Sequence, residues 1–348
     1  MSKSNRTKRT ALNVLCVVLA LILAVMVAAT IYVESMFNRM GTLDHETLSS
    51  SEAEELLNQT EETLDPDFTA PTLKPDDVTI PTEPAEVIVT GENIINIVLV
   101  GQDRREGQGR QRSDSMILCT INKEMKTITM TSFLRDIYVN IPGYYRQRLN
   151  VAYQLGGYKT LNATLEHNFG VSADHCIEVD FAGFENIINV LGGVDIDLTE
   201  AEAKYLNRRG NWDVQDGPVD WNLKAGVNTL TGAQALAYSR IRALDNDWGR
   251  TNRQRTVLTA LLQKAKGMSL TQINDFANQV LPMIATDMSP SEITGYVMEL
   301  FPLLGDLNIK TQTIPANGTW QYATINGDAV ITVNFEKNQQ ILRELLGE

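Results

Sequence analysis

Histidine and cysteine are almost missing from this chain of 348 residues, with three of each. Cys16, Cys119 and Cys176 show neither a C-x-x-C spacing nor a histidine at ligand spacing, which argues against a zinc site. Cys16 lies in an apolar N-terminal segment, and the other two fall in predicted strands, either as a pair or as buried free thiols. Basic charge is also short: 30 Lys and Arg against 43 Asp and Glu leave a net charge of −13. A surface that acidic does not hold nucleic acid through a broad basic face. No internal repeat is present. Against this background any local cluster of arginines stands out, and it implies a focused anionic ligand.

Charge is absent altogether from residues 11–33, which are broken only by Asn13 and Thr30 among apolar residues. As a helix this stretch is about 35 Å long, enough to cross a bilayer. Lys3, Arg6, Lys8 and Arg9 precede it, so the N-terminus is expected in the cytoplasm and the rest outside. The alternative is a cleaved signal peptide, with A-A-T at 28–30 as the small-residue site. The expected plan is a cytoplasmic basic tail over 1–10, a transmembrane helix over 11–33, and an extracellular stalk over 34–92. An extracellular catalytic domain over 93–348 completes a single-pass protein of the cell membrane. The stalk is acidic and holds Pro66, Pro71, Pro75, Pro81 and Pro84, which reads as an extended spacer with one short helix at 52–57.

The domain is organised around residues 96–136. Apolar runs at 97–100, 116–121 and 126–132 read as strands. Between and after them stand Asp103, Arg104, Arg105, Arg110, Arg112, Asp114, Arg135 and Asp136. Three strands thus deliver charge to loops at the sheet edges. Carboxylates among guanidinium groups suit a divalent cation and a phosphate, or else form a surface network of salt bridges.

Further along, helices are expected at 149–157, 161–169 and 182–191, with strands at 176–179 and 194–198. The segment 207–228, with Trp212 and Trp221, reads as a surface excursion whose tryptophans stack on sugars or staple the loop. T-G-A-Q at 231–234 is a capping box that starts the helix before Y-S-R-I-R, where Arg240 and Arg242 lie two apart. In D-W-G-R-T-N-R-Q, Arg250, Arg253 and Gln254 share a helix face near an N-terminus that favours an anion. Helices at 271–285, 289–300 and 333–346 and a strand at 308–314 follow. The alternation predicts an α/β fold, a single α/β/α sandwich domain with a central mixed sheet. His175 reads as a satisfied core or edge histidine rather than a catalytic one.

Several of these pieces together resemble the LytR–CpsA–Psr family of bacterial cell-envelope proteins. They are N-I-V-L-V-G-Q-D at 96–103, R-S-D-S-M at 112–116, R-D-I-Y-V-N-I-P-G at 135–143 and N-V-A-Y-Q-L-G-G at 150–157. V-D-F-A-G-F at 179–184, L-G-G-V-D at 191–195, L-T-G-A-Q-A-L-A-Y-S-R-I-R at 230–242 and D-W-G-R-T-N-R-Q at 247–254 complete the set. One departure is Leu134, where the family carries proline before the Arg-Asp pair. The resemblance fades after about residue 270.

The resemblance implies transfer of a glycopolymer from an undecaprenyl-pyrophosphate carrier to peptidoglycan, as a phosphodiester at a muramic acid 6-hydroxyl. It implies Mg2+ (or Mn2+) on Asp103 and Asp114, and Arg135, Asp136, Arg240 and Asp247 in catalysis. Arg105, Arg112, Arg242, Arg250, Arg253 and Gln254 would bind the substrate. A lipid tail would run along apolar positions of 230–236 and 257–262, which otherwise read as plain core. Asp136 and Asp247 both qualify as proton acceptor, and Asp136 equally as a partner of Arg135. Water in place of the acceptor would make the same site a polyprenyl-pyrophosphate hydrolase. A membrane-bound transcriptional regulator is a third reading, opposed by the net charge and the outside location.

Overall fold

The computed structural model describes residues 32–44, 46–49, 51–53, 70–102, 104, 108–208 and 221–346. The strands in chain order are β1 (Gly41–Thr42), β2 (Thr72–Leu73), β3 (Ile94–Gln102), β4 (Ser113–Asn122), β5 (Thr127–Phe133), β6 (Tyr138–Asn140) and β7 (Arg146–Arg148). Then come β8 (His175–Asp180), β9 (Val194–Leu198), β10 (Gly226–Leu230), β11 (Ala285–Thr286), β12 (Asn308–Ile314), β13 (Trp320–Ile325) and β14 (Asp328–Val333). The helices include α1 (Leu149–Phe169), α2 (Phe181–Val190), α3 (Glu200–Leu206), α4 (Gly232–Ser239), α5 (Asp247–Lys266), α6 (Leu270–Val280), α7 (Pro290–Leu300) and α8 (Phe335–Leu346).

The central sheet is mixed, in the order β1-β11-β8-β3-β4-β5-β12. β4 runs antiparallel to both β3 and β5, while β8 and β12 run parallel to their inner neighbours. Alternation along β3 and β4 sorts the apolar residues to two faces. Val98, Val100, Met116 and Leu118 meet Leu155 and Leu161 of α1 and Leu342 of α8. Ile95, Ile117, Cys119 and Ile121 meet Leu258 of α5 and Leu300 of α7. Each fully buried side chain of this kind contributes about 1.5–3 kcal/mol. Cys119 and Cys176 are both buried free thiols, and burial pushes Cys119 up to about 12.

Several expectations shift. The helices expected at 149–157 and 161–169 are one helix kinked at Gly156 and Gly157, the latter at φ 62°, ψ −150°. Helix 271–285 stops at Val280, because Pro282 ends it and Ala285–Thr286 joins the sheet. The closing helix starts at Phe335, since Val333 completes a hairpin of β13 and β14 that the sequence reading missed. Both strands of that hairpin are short and mix polar with apolar residues.

The described parts of the expected stalk lie against the domain. Val78 and Ile80 are in the main core, β2 adds to β13, and Leu48 N donates to Leu155 O at 2.9 Å. Proline and acidic content signalled an unpaired chain, but a few apolar residues and free backbone groups suffice to dock it. The span at 11–33 falls almost wholly outside the described residues, and no described helix is long and apolar enough to cross a membrane. Helix 52–57 is described only over 51–53, and Trp212 not at all.

Gly157 carries the docking of this N-terminal stretch. A Cβ there would stand 2.7 Å from Asp44 O and 3.3 Å from Arg110 Nη1, at a backbone conformation other residues avoid. Arg110 Nη1 itself pairs with Asp44 Oδ2 at 3.1 Å. Gly157→Ala is therefore expected to cost at least about 1–3 kcal/mol in urea unfolding. An unchanged midpoint would show that the kink tolerates a side chain.

Candidate active site

One end of the central sheet gathers the charge. β5 ends at Phe133 and passes through Leu134 to Arg135 and Asp136, β12 ends beside it at Ile314, and β4 starts there with Ser113 and Asp114. Leu134, which stands where the resembled family has proline, is fully buried, and its N–H donates to Ile314 O at 2.9 Å. That bond needs a backbone N–H, which proline lacks. Ligands of open α/β sheets commonly sit in the crevice beyond the strand ends.

Arg135 Nη1 donates to Asp114 Oδ1 at 2.8 Å, and Arg135 Nε stands 3.5 Å from Asp136 Oδ2. Arg148, just before α1, places Nη1 3.7 Å from Asp136 Oδ1. The first turn of α5 brings Asp247 and Arg250 together at 2.7 Å. Burial pushes the Asp114 carboxyl up, but Arg135, Arg250 and Arg242 outweigh it and hold it below the usual carboxylate range. Its ionised form therefore adds stability above the unfolded value, and that contribution is lost as pH falls through the depressed folded value. Asp136 shifts the other way. Burial raises it first, Asp247 adds to the rise, and Arg135, Arg148 and Arg250 do not reverse it.

Asp114 thus lies in the field of Arg135, Arg242 and Arg250, and Asp136 in that of Arg135, Arg148, Arg250 and Asp247. Arg242 is solvent-exposed and Arg250 is buried. Arg240 and Arg242 flank the buried Ile241, but no strand forms there. Arg240 caps the C-terminus of α4, and its guanidinium lies 4.5 Å from the ring centroid of Phe181, the first residue of α2. Arg112 Nε donates to Gln154 Oε1 at 3.2 Å, and Gln254 is half-buried on α5. Asp103 and Arg105 lie outside the described residues.

Arg253 belongs to a different network. It donates to Glu202 Oε1 at 2.7 Å, to Ile241 O at 3.1 Å, and to both oxygens of Asp245 at 2.9 and 2.7 Å. These bonds tie α5 to α3 and to the turn after α4. Shared helix face with Arg250 predicted a common ligand, but the turn at 242–245 reaches Arg253 first. Apolar residues of 230–236 and 257–262 also divide. Leu230, Ala235 and Val257 sit in one core cluster with Val194 and Ile196, whereas Leu258 and Leu262 reach the sheet. His175 is satisfied, between Asp287 Oδ2 at 3.2 Å and Tyr296 Oη at 3.1 Å. Trp221 packs on the second core cluster, as a loop staple would.

The sequence reading missed Arg148 and Asn150. Asn150 is fully buried, its N–H donates to Arg135 O at 3.1 Å, and its side-chain Oδ1 and Nδ2 have no hydrogen-bond partner among the described residues. Such orphaned groups are costly unless something binds them. Nothing in an R-L-N tripeptide marks it as more than a helix start. Among the described residues no three carboxylate, histidine or cysteine side chains gather to hold a cation; Asp114 is held ionised, as a ligand carboxylate would be, and is bonded to Arg135. Also missed was an aromatic cluster beside Asp247. Trp248 stacks on Trp320 at 4.1 Å between centroids, and Tyr322 meets both rings edge-on.

The fold and this site define a mixed α/β protein with arginines gathered at one end of its sheet. The chain belongs to the LytR_cpsA_psr family, whose profile matches residues 50–345. It is 30% identical over 268 residues to the regulatory protein MsrR of Staphylococcus aureus, covering 75% of this chain and 76% of that one. Bacillus subtilis TagT, a polyisoprenyl-teichoic acid–peptidoglycan teichoic acid transferase, is 30% identical over 260 residues, 73% of this chain and 77% of that one. A solved structure of YwtF (TagT) with bound octaprenyl pyrophosphate lipid matches at a TM-score of 0.56 and 27% identity. It covers 74% of this chain and 92% of the other.

Arg253 offers a direct check of which arginines hold the fold. Arg253→Ala would strand Glu202 and is expected to cost about 3–5 kcal/mol of stability in urea unfolding. A variant as stable as the parent, with ligand affinity lost, would return Arg253 to the binding site.

Proposed function

We propose that this chain transfers a glycopolymer from a polyprenyl-pyrophosphate carrier to peptidoglycan. The observation that carries the reading is the convergence of Arg135, Arg242 and Arg250 around Asp114, beside the orphaned Asn150 amide. Arg135 and Arg250 are each paired with a carboxylate, Asp114 and Asp247, and guanidinium forks also fit phosphate oxygens bidentately. The names of TagT as a teichoic acid transferase and of its lipid-pyrophosphate complex support the same reading.

In this reading the arginines bind the pyrophosphate and stabilise charge that grows on its non-bridging oxygens. A hydroxyl of the acceptor, the muramic acid 6-hydroxyl, attacks the polymer-side phosphorus. The bond from that phosphorus to the bridging oxygen breaks, and its electron pair leaves with polyprenyl phosphate. The hydroxyl proton passes to Asp136. Its Oδ1 accepts no hydrogen bond among the described residues, and its raised pKa makes it a better base near neutrality. Asp247 orients Arg250, to which it is bonded. Mg2+ would be held by Asp114 and Asp103, where it would neutralise pyrophosphate charge. Arg105, Arg112, Arg240 and Gln254 would contact the head group or the sugars next to it.

Purified full chain, lipid-linked glycopolymer and peptidoglycan provide the test. Arg135→Ala is expected to lower turnover roughly ten- to a hundredfold, with Arg135→Lys recovering little of it. Asp114→Ala or a chelator should abolish metal-dependent transfer. Polymer released equally well without peptidoglycan would make the protein a hydrolase instead. Lysine restoring both activity and melting temperature would make Arg135 a strut of the fold.

The anchor belongs to the same proposal: residues 11–33 span the membrane with the basic tail inside and the domain outside. Protease added to intact protoplasts should release the domain from about residue 35 onward. A fully protected domain would refute that topology.

A further inference from the structure

Arg255 stands apart from the arginines of the candidate site. It is 6% exposed, pairs with no carboxylate among the described residues, and its Nε and Nη1 have no hydrogen-bond partner there. Its one bond is from Nη2 to Asn252 Oδ1 at 3.4 Å. A buried guanidinium left in that state is costly, and burial alone pushes it down to about 10.

A cavity of about 220 Å3 meets this side chain, lined by Trp248, Arg255, Thr311, Thr313, Pro315 and Asn317 among others. Thr311 and Thr313 belong to β12, the outermost strand of the sheet, whose second edge has no strand partner among the described residues. The cavity therefore combines one buried cation, hydroxyl groups and an indole. It also adjoins the candidate active site. β12 ends level with β5, which leads to Arg135 and Asp136, and Trp248 follows Asp247 directly. Trp248 and Arg255 are seven residues apart on α5, hence on one face and about 10 Å apart along its axis.

We propose that this cavity is a saccharide subsite, in which Arg255 receives an oxyanion carried by the sugar and Trp248 meets the adjoining ring. The proposal rests on the transfer reading for the nature of the saccharide. Two parts of the reaction carry such a group: the peptide-stem carboxylates of the acceptor glycan and the phosphates of the donor polymer. Arg255 is not needed for the chemical step, because it lies two helical turns from Asp247. It would set which sugar reaches the acceptor hydroxyl position.

Binding to the full chain in detergent can be followed by tryptophan fluorescence with three probes. These are a disaccharide–peptide fragment of peptidoglycan, the same fragment with its carboxylates amidated, and glycerol 3-phosphate. If the acceptor is the source, amidation and Arg255→Gln should each weaken fragment binding roughly ten- to a hundredfold, and not additively. If the donor polymer is the source, glycerol 3-phosphate binding should show the Arg255 dependence instead. Arg255→Met should keep or raise the melting temperature, since it removes an unpaired buried charge, whereas a structural role would lower it. Should Arg255→Gln fail to fold, the comparison of free and amidated fragments on the parent chain still decides the acceptor arm, and Arg255→Met decides the other. No effect of amidation, together with no effect of the Arg255 variants on either ligand, overturns the subsite. Arg255-dependent binding in a protein that transfers nothing would keep the subsite and overturn the transfer reading; intact transfer with insensitive binding would do the reverse.

Discussion

Repulsion among guanidinium groups is the constraint on which the rest of this structure depends. Like charges brought together in a protein repel unless opposite charge lies among them. Asp114 sits in the field of Arg135, Arg242 and Arg250, and Arg242 in the field of the other two arginines. A cluster of this sort does not form by surface adaptation. It needs a rigid frame on each side, and the hairpin of β4 and β5 and the first turn of α5 provide it. The apolar faces of β3, β4 and β5 are buried under helices on both sides, so the strand ends have little freedom to relax away.

Carboxylates in this region divide into two kinds with different work. Asp114 is kept ionised by the arginines, which suits a cation or a fixed counter-charge. Asp136 is buried beside a second carboxylate and is raised, which suits a group that takes up a proton. Neighbouring acids whose surroundings push them apart are a common arrangement where proton transfer and charge stabilisation must coexist. Arg253 and Glu202, by contrast, spend their charge on each other and on Asp245, joining α3, α5 and the turn between α4 and α5. That network fixes the pitch of α5 and so the places of Asp247, Trp248 and Arg250.

Docking of the N-terminal stretch adds a second kind of support. Arg110 ties Asp44 and Glu46 to the kink of α1, and Val78, Ile80 and β2 close over the core and the β13–β14 hairpin. The same hairpin brings Trp320 and Tyr322 to Trp248. Aromatic residues distant in sequence thereby meet beside Asp247, at the edge of the charged cluster.

The sequence by itself determined the strands and helices with strong periodicity and the residues at their ends. β12 matches its expected limits, and β3, β4, β5 and the capping box at Thr231 lie where alternation and turn chemistry put them. Local physics suffices there, because side-chain direction follows from a period of two or 3.6 residues. The set of charged residues was legible for the same reason: arginine and aspartate repeatedly follow apolar runs. Only the tertiary structure decided which of them meet. Arg250 and Arg253 share a helix face, yet one joins the cluster and the other a structural network, because the turn holding Asp245 folds back. Arg148 and Arg255 carry no local signal, and Asn150 only that of the first residue of N-V-A-Y-Q-L-G-G. Their character comes from what surrounds them: all three are buried, and Asn150 and Arg255 keep polar atoms with no hydrogen-bond partner among the described residues, which is a property of packing between distant segments that no single stretch of sequence contains.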